Sequence, residues 1–207
     1  LVWKDGTRMP TGAGLPARPF ETMLRDATLA DQVRQAYPRG APTGVPRRDH
    51  SPGRLRHTPF FTGMYGDCRQ GAAAARHRTV TWMPRTRPQR LPVTTVNDVA
   101  TRLERVIDAL EGLPDRLKAY LVPSAGTFNC RAVADTGLLS MHAHAAAIDI
   151  NVQQSDYWAW ARGRGDIPYR NRIPYEIAEP FEAERFIWGG KWYHYDTMHF
   201  EYRPELI

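Results

Sequence analysis

Cysteine is nearly absent: Cys68 and Cys130 are the only two in 207 residues. Two thiols cannot furnish a four-cysteine zinc site, and they do not form a C-x-x-C redox pair. Two readings remain, a single disulfide formed in an oxidising compartment or two buried free thiols. Long apolar runs are missing too. No stretch approaches the run of about 18 apolar residues that a membrane-spanning helix needs, so no transmembrane segment is expected. The chain opens at Leu1 without an initiator Met, and a leader removed or trimmed away is the expectation. There is no internal repeat and no recognisable nucleic-acid motif.

The formal charge is +6, carried mostly by arginine. That sign favours acidic partners such as nucleic acid, anionic lipid or a carboxylate-rich polymer, although a solvated basic surface explains it as simply. A nucleic-acid binder should gather its cations in a stripe with interleaved aromatics. Here the arginines are scattered from Arg8 to Arg203, and no nucleic-acid partner is expected. What is present is an ordinary globular composition, 42% hydrophobic and 11% aromatic, at a length suited to one core and read as a monomer.

Residues 1–53 are rich in Pro, Gly and Arg and read as an irregular arm, with one short helix near Ala27–Ala36. Trp3, Phe20, Leu24 and Leu29 need burial, so the arm is expected to pack on a catalytic domain over residues 54–207. The clearest helix runs from Asn97 to Glu111. Val99, Leu103, Val106, Ile107 and Leu110 share one face, Asn97 suits the N-cap, and Gly112 with Pro114 supplies the stop. Tyr120–Val122 reads as a short buried strand, and 147–152 as a half-buried one. A second helix is expected from Pro174 to Glu184, kinked or shortened by Pro180. The last strand is 198–202. Helices and strands without regular alternation predict an α+β fold with a small antiparallel sheet.

Two segments carry chemistry. In Ser140-Met141-His142-Ala143-His144-Ala145-Ala146-Ala147-Ile148-Asp149, a carboxylate lies inside an apolar strand. A lone buried charge is expensive, and a metal ion would give it a reason to be there. In Asp196-Thr197-Met198-His199-Phe200-Glu201, a second histidine follows an acidic residue. His142, Asp149 and His199 together make a suitable set for one catalytic Zn2+ with a fourth position left for water. Asp196, in the turn before His199, could serve as the base. Glu201 shares the strand face of His199 and could orient its imidazole from behind. Against this, a histidine near an apolar strand is more often structural than a ligand.

These segments resemble the M15 metallopeptidases, a family that includes D-alanyl-D-alanine carboxypeptidases, D,D-dipeptidases and phage L-alanyl-D-glutamate endolysins. The Ser-x-His-(x)6-Asp pattern is matched by Ser140, His142 and Asp149, and the closing acid and histidine by Asp196 and His199. Arg131 matches an upstream arginine that faces the substrate and steadies the oxyanion in the family. The resemblance extends from about Ser51 to Leu206. It implies the carboxypeptidase and hedgehog-like zinc peptidase fold, and hydrolysis of peptidoglycan stem peptides as a carboxypeptidase or endopeptidase. A periplasmic or secreted location follows, with which a Cys68–Cys130 disulfide would agree. The alternative is a non-catalytic zinc-containing module that binds cell-wall peptides.

Departures from the family pattern are Asp196 where many members have Glu, and Ala145 where Gly is common. If that backbone requires φ > 0, Ala145 costs stability. Ser140 is read as a substrate contact or a turn cap, and His194 as a substrate-binding residue or an aromatic packing partner. His144 is read as a spare ligand or substrate contact, or as a histidine at the surface or behind the ligands. Trp158, Trp160, Trp188 and Trp192 are core or rim, with some able to line the groove.

Overall fold

In the computed structural model, which describes residues 1–133, 136–161 and 167–207, the arm contributes two short helices, α1 (Phe20–Arg25) and α2 (Leu29–Gln32). Helix α2 exists because Thr28 and Asp31 cap each other. The Thr28 hydroxyl accepts from the Asp31 amide at 3.1 Å, and the Asp31 carboxylate accepts from the Thr28 amide at 3.0 Å. The rest of the arm is irregular, and two of its parts pack against the main body. Tyr37 is buried in the core, where its hydroxyl donates to Glu182 and accepts from the Trp188 amide. Gln32 donates to Glu205 and accepts from the His57 amide.

Helix α3 (Thr58–Tyr65) leads through Gly66 to Cys68, which is bonded to Cys130 with Cα atoms 5.8 Å apart. The reading as two buried thiols is thereby corrected, and Cys130 lies at the surface. A hairpin follows, β1 (His77–Trp82) with β2 (Gln89–Thr94), pairing His77 with Thr94 through Trp82 with Gln89. It was not anticipated in the sequence. Val80, Trp82, Leu91 and Val93 point to the core, and charged or polar residues alternate with them.

Helix α4 (Val99–Glu111) buries the five residues of the expected apolar face. Its start differs from expectation. Asn97 and Asp98 both adopt left-handed backbone, φ 55 and 60, so the chain turns sharply and the helix begins at Val99. Asp98, not Asn97, occupies the N-cap, without a side-chain bond. After α5 (Asp115–Lys118), the predicted strand at Tyr120–Val122 is absent; these residues form a turn that enters a cis Val122–Pro123 bond. Leu121 is buried by packing into the core, where its carbonyl accepts from Trp82 Nε1 at 3.0 Å, not by joining a sheet.

The second sheet has the order β3-β5-β4, built from β3 (Ala147–Asp149), β4 (Phe186–Trp188) and β5 (His199–Tyr202), all antiparallel. Strand β3 is half the expected length and does not alternate, since Ala147 and Ile148 are both buried. Helix α6 (Tyr175–Ala183) passes through Pro180 and begins after Pro174 at its N-cap. Proline removes the bond to the carbonyl of Glu176, which is exposed and can be solvated instead. Phe181 of α6 stacks on Phe200 of β5 with ring centroids 3.9 Å apart, tying helix to sheet. This mixture of helices and small antiparallel sheets is an α+β arrangement. No described helix is long and apolar enough to cross a membrane.

Candidate metal centre

Strand register brings two of the expected residues together. Asp149 on β3 is the direct cross-strand partner of His199 on β5, so their side chains emerge side by side on one face. Asp149 is fixed on its other edge as well, where its amide donates to the Gly126 carbonyl at 3.0 Å and its carbonyl accepts from the Ala125 amide at 2.8 Å. His142 arrives from the 3-10 turn Met141–His144 that precedes β3. Ser140 caps this turn by accepting from the His142 amide at 3.3 Å. The turn is closed by Ala145 at φ 50, so the left-handed backbone raised by the family comparison is present here on a residue that carries a Cβ.

The three side chains meet in a triangle. His142 Nε2 lies 3.1 Å from His199 Nδ1 and 3.1 Å from Asp149 Oδ1, and His199 Nδ1 lies 2.9 Å from Asp149 Oδ1. The outer faces of both rings are fixed. His142 Nδ1 stands 3.0 Å from the Thr127 carbonyl, which can only accept, so the proton belongs on Nδ1 and Nε2 offers a lone pair. His199 Nε2 stands 2.9 Å from Glu201 Oε2, which places a proton there and turns Nδ1 inward. Two nitrogen lone pairs and a carboxylate oxygen thus face one point and repel unless a cation lies between them. Donors around a tetrahedral zinc with bonds of about 2.0–2.1 Å stand roughly 3.3 Å apart, close to this spacing. The donor set therefore fits a metal ion, and these are the residues able to hold one.

Titration reflects the same crowding. Burial pushes the His199 imidazole down, but its bonds to Asp149 and Glu201 outweigh it and lift the pKa to about 9. Burial works against ionisation of Asp149, and the two imidazoles overcome it, holding the carboxylate well below its usual range. The point attracts positive charge, whether a proton or a metal ion.

Behind His199 is a layer of charge that the sequence did not reveal. Glu201 is fully buried and accepts from Arg56 Nη2 and Arg203 Nη1, each at 2.8 Å. Burial raises its pKa, yet Arg56, His199 and Arg203 hold it far below the carboxylate norm. Arg56 and Arg203 lie 145 and 2 residues away from Glu201 in the chain, and only the second was close enough to suggest itself. Gly53 lets this layer close, because a Cβ there would sit 2.1 Å from the Trp192 ring and 2.8 Å from Glu201 Oε1.

Asp196 lies in the turn before β5, where its carbonyl accepts from the His199 amide at 3.1 Å and its amide donates to Gly189. Its Oδ1 is buried without a hydrogen-bond partner among the described residues. Burial chiefly, with the nearby charge of Asp149, pushes its pKa up, against the pull of His199, Arg54 and His142. An uncompensated carboxyl oxygen beside the triangle is unusual and suits a group that exchanges protons.

The remaining expected residues divide. Arg131 is brought near Ser140 through its backbone, Ser140 N to Arg131 O at 3.2 Å, while its exposed guanidinium makes no contact among the described residues. His194 Nδ1 is 3.4 Å from the Ser51 hydroxyl, and its ring stacks on Phe20 and packs edge-on against Trp158. It lines a cleft of about 110 Å³ with Arg54, Trp158 and part of α1. Arg54, which sequence reasoning did not single out, donates to the His194 carbonyl and lies over three aromatic rings. His144 does not join the triangle; it is buried between Phe61 and Tyr65, and burial lowers its pKa to about 4. Trp188 and Trp192 are core, whereas Trp160 is exposed.

Residues 134–202 match a family model described as D-alanyl-D-alanine carboxypeptidase, one of the M15 peptidases. Over this segment, a third of the chain, the protein is similar to the M15 peptidases. The matched segment includes Ser140, His142, Asp149, Asp196, His199 and Glu201; Arg131 lies just upstream of it. It is shorter than the stretch from Ser51 to Leu206 over which the resemblance was expected. No curated protein and no solved structure matches the chain.

Proposed function

We propose that this protein is a zinc-dependent peptidase acting on peptidoglycan stem peptides outside the cytoplasm, as a D,D-carboxypeptidase or endopeptidase. One observation carries the reading: the convergence of His142 Nε2, His199 Nδ1 and Asp149 Oδ1 within the segment similar to the M15 peptidases. Zinc bound by these three residues would lower the pKa of water toward about 7 and polarise the scissile carbonyl. Asp196 takes the proton from the attacking water and returns it to the leaving amine, a task suited to its raised pKa and unpartnered oxygen. Glu201, held by Arg56 and Arg203, keeps the inward nitrogen of His199 aimed at the metal. Arg131 offers an unengaged guanidinium, three residue positions upstream of the matched segment, to a substrate carboxylate or the oxyanion. Ser140 contributes by fixing the turn that presents His142.

The test is elemental analysis of purified wild type beside His142→Ala and Asp149→Ala, followed by digestion of purified muropeptides read by mass. About one zinc per chain in the wild type, lost from both variants, is expected. Loss of one alanine would identify a carboxypeptidase, and larger fragments an endopeptidase. A wild type that takes up no added zinc would sink the peptidase reading. Zinc binding without any muropeptide cleavage would instead favour a binding module.

A further inference from the structure

Residues 38–50 form an irregular loop that is held at both ends. The Lys191 ammonium donates to the carbonyls of Pro38 and Gly40 and pairs with Glu182, both side chains being buried. Gln35 donates to the Asp49 carbonyl and accepts from the Ser51 amide, each at 2.7 Å, and the Tyr193 amide donates to the His50 carbonyl. These bonds hold open a cavity of about 1070 Å³ between the loop, Phe20 and Tyr169.

The cavity wall is cationic. Arg18, Arg34, Arg39, Arg47, Arg48 and Lys191 line it, against Asp49 as the sole lining carboxylate among the described residues. Arg18 and Arg34 are engaged by Asp31, and Lys191 by Glu182. Arg39 and Arg47 are exposed and pair with no carboxylate among the described residues. Two unpaired guanidinium groups in a concave, partly apolar space concentrate a positive field, and their planar forks match oxyanions. The volume, at the upper end for small-ligand sites, suits several units of a chain.

We propose that this cavity is an anchoring subsite for a carboxylate-bearing polymer, gripped by Arg39 and Arg47. Phe20 adjoins the smaller cleft lined by His194: the residue lines the cavity, and its ring stacks on His194 at 5.7 Å and 6°. A nucleic acid fits less well, because the large aromatic side chains of the wall are already engaged by other groups. Tyr37 is buried, Phe20 is stacked, and Tyr169 packs on Tyr195 while donating to Gly190. The identity of the polymer as peptidoglycan rests on the peptidase reading; the preference for carboxylates does not.

Binding is measured on chelated protein, so that turnover and zinc play no part, at about 50 mM salt where surface charge is weakly screened. The probes are soluble cross-linked muropeptides, the same muropeptides with carboxyls amidated, inorganic polyphosphate, and a single-stranded oligonucleotide. Arg39→Gln/Arg47→Gln is compared with Arg87→Gln/Arg116→Gln, a pair exposed elsewhere, with circular dichroism to establish folding. The cavity pair should weaken muropeptide binding by about tenfold or more and the control pair by less than about twofold, with amidation as damaging as the cavity pair. Wild-type affinity in the cavity variant, or no muropeptide binding by wild type, overturns the proposal. So does polyphosphate or oligonucleotide binding more tightly at the same arginines, which would assign the cavity to a phosphate polymer. Failure of the zinc measurement above would sink the peptidase reading and leave this result standing.

Discussion

Glu201 sits at the junction of three charged partners, and its removal separates a structural from a chemical role. Glu201→Gln keeps the shape but leaves Arg56 and Arg203 buried beside a neutral amide. Breaking such a buried arrangement costs about 3–5 kcal/mol, and the loss of a carboxylate behind a ligand histidine weakens metal affinity roughly 10–100-fold. Denaturant unfolding with and without zinc should show both effects; an unchanged zinc affinity would mean that Glu201 does not orient His199. His199 gives a pH signature. Its pKa is raised to about 9 from an ordinary 6.5. The stability it contributes to chelated protein is thus complete below about pH 6.5 and is lost as pH rises through about 9. Zinc competes with that proton, so zinc affinity should rise over the same window. Thermal melts of chelated protein between about pH 6 and 10 check the first trend, and zinc titrations the second.

At the scale of elements, the junction of α6 with β4 carries avoidable strain. Arg185 follows the helix at φ 67, is exposed, and makes no side-chain contact among the described residues. Glycine is the residue that this left-handed position favours, and Arg185→Gly should stabilise by about 1 kcal/mol in urea unfolding. A neutral or destabilising result would show that the arginine stem covers more apolar surface than its exposure suggests. Ala145 poses the same question differently, since its methyl is fully buried. Relief of the backbone and loss of packing oppose each other there. Gly189 has no such latitude: a Cβ would lie 2.4 Å from the Asp196 carbonyl, so the turn that carries Asp196 depends on it.

For the whole molecule, the Cys68–Cys130 bond joins the turn after α3 to the loop carrying Arg131, across a separation of 62 residues. Chain entropy sets the value of such a crosslink at about 4 kcal/mol. Cys68→Ser/Cys130→Ser should lose close to that amount in equilibrium unfolding. Loss of muropeptide turnover in the folded variant, with zinc content retained, would assign the bond to positioning Arg131; unchanged turnover would confine it to stability. The arm acts on the same scale, since Tyr37 caps Glu182 and Trp188 inside the core.

The chain's local patterns were sufficient for the apolar face of α4, which repeats with helical period, and they marked the two segments holding the triangle as candidates, because a carboxylate amid apolar residues needs a partner. They could not supply β1 and β2, whose alternation is diluted by Arg78 on the inward side and Pro92 on the outward one and becomes legible only once a core exists on one side. Nor could they exclude a strand at Tyr120–Val122, because an apolar run signals burial without saying what buries it. The residue types of the candidate centre are written in the sequence. Tertiary structure alone decided that Asp149 stands across from His199, that Arg56 meets Glu201, and that Arg39 and Arg47 share a cavity with Phe20. Charge and register act through space, and the distances they depend on exist only after the sheet has paired and the arm has closed.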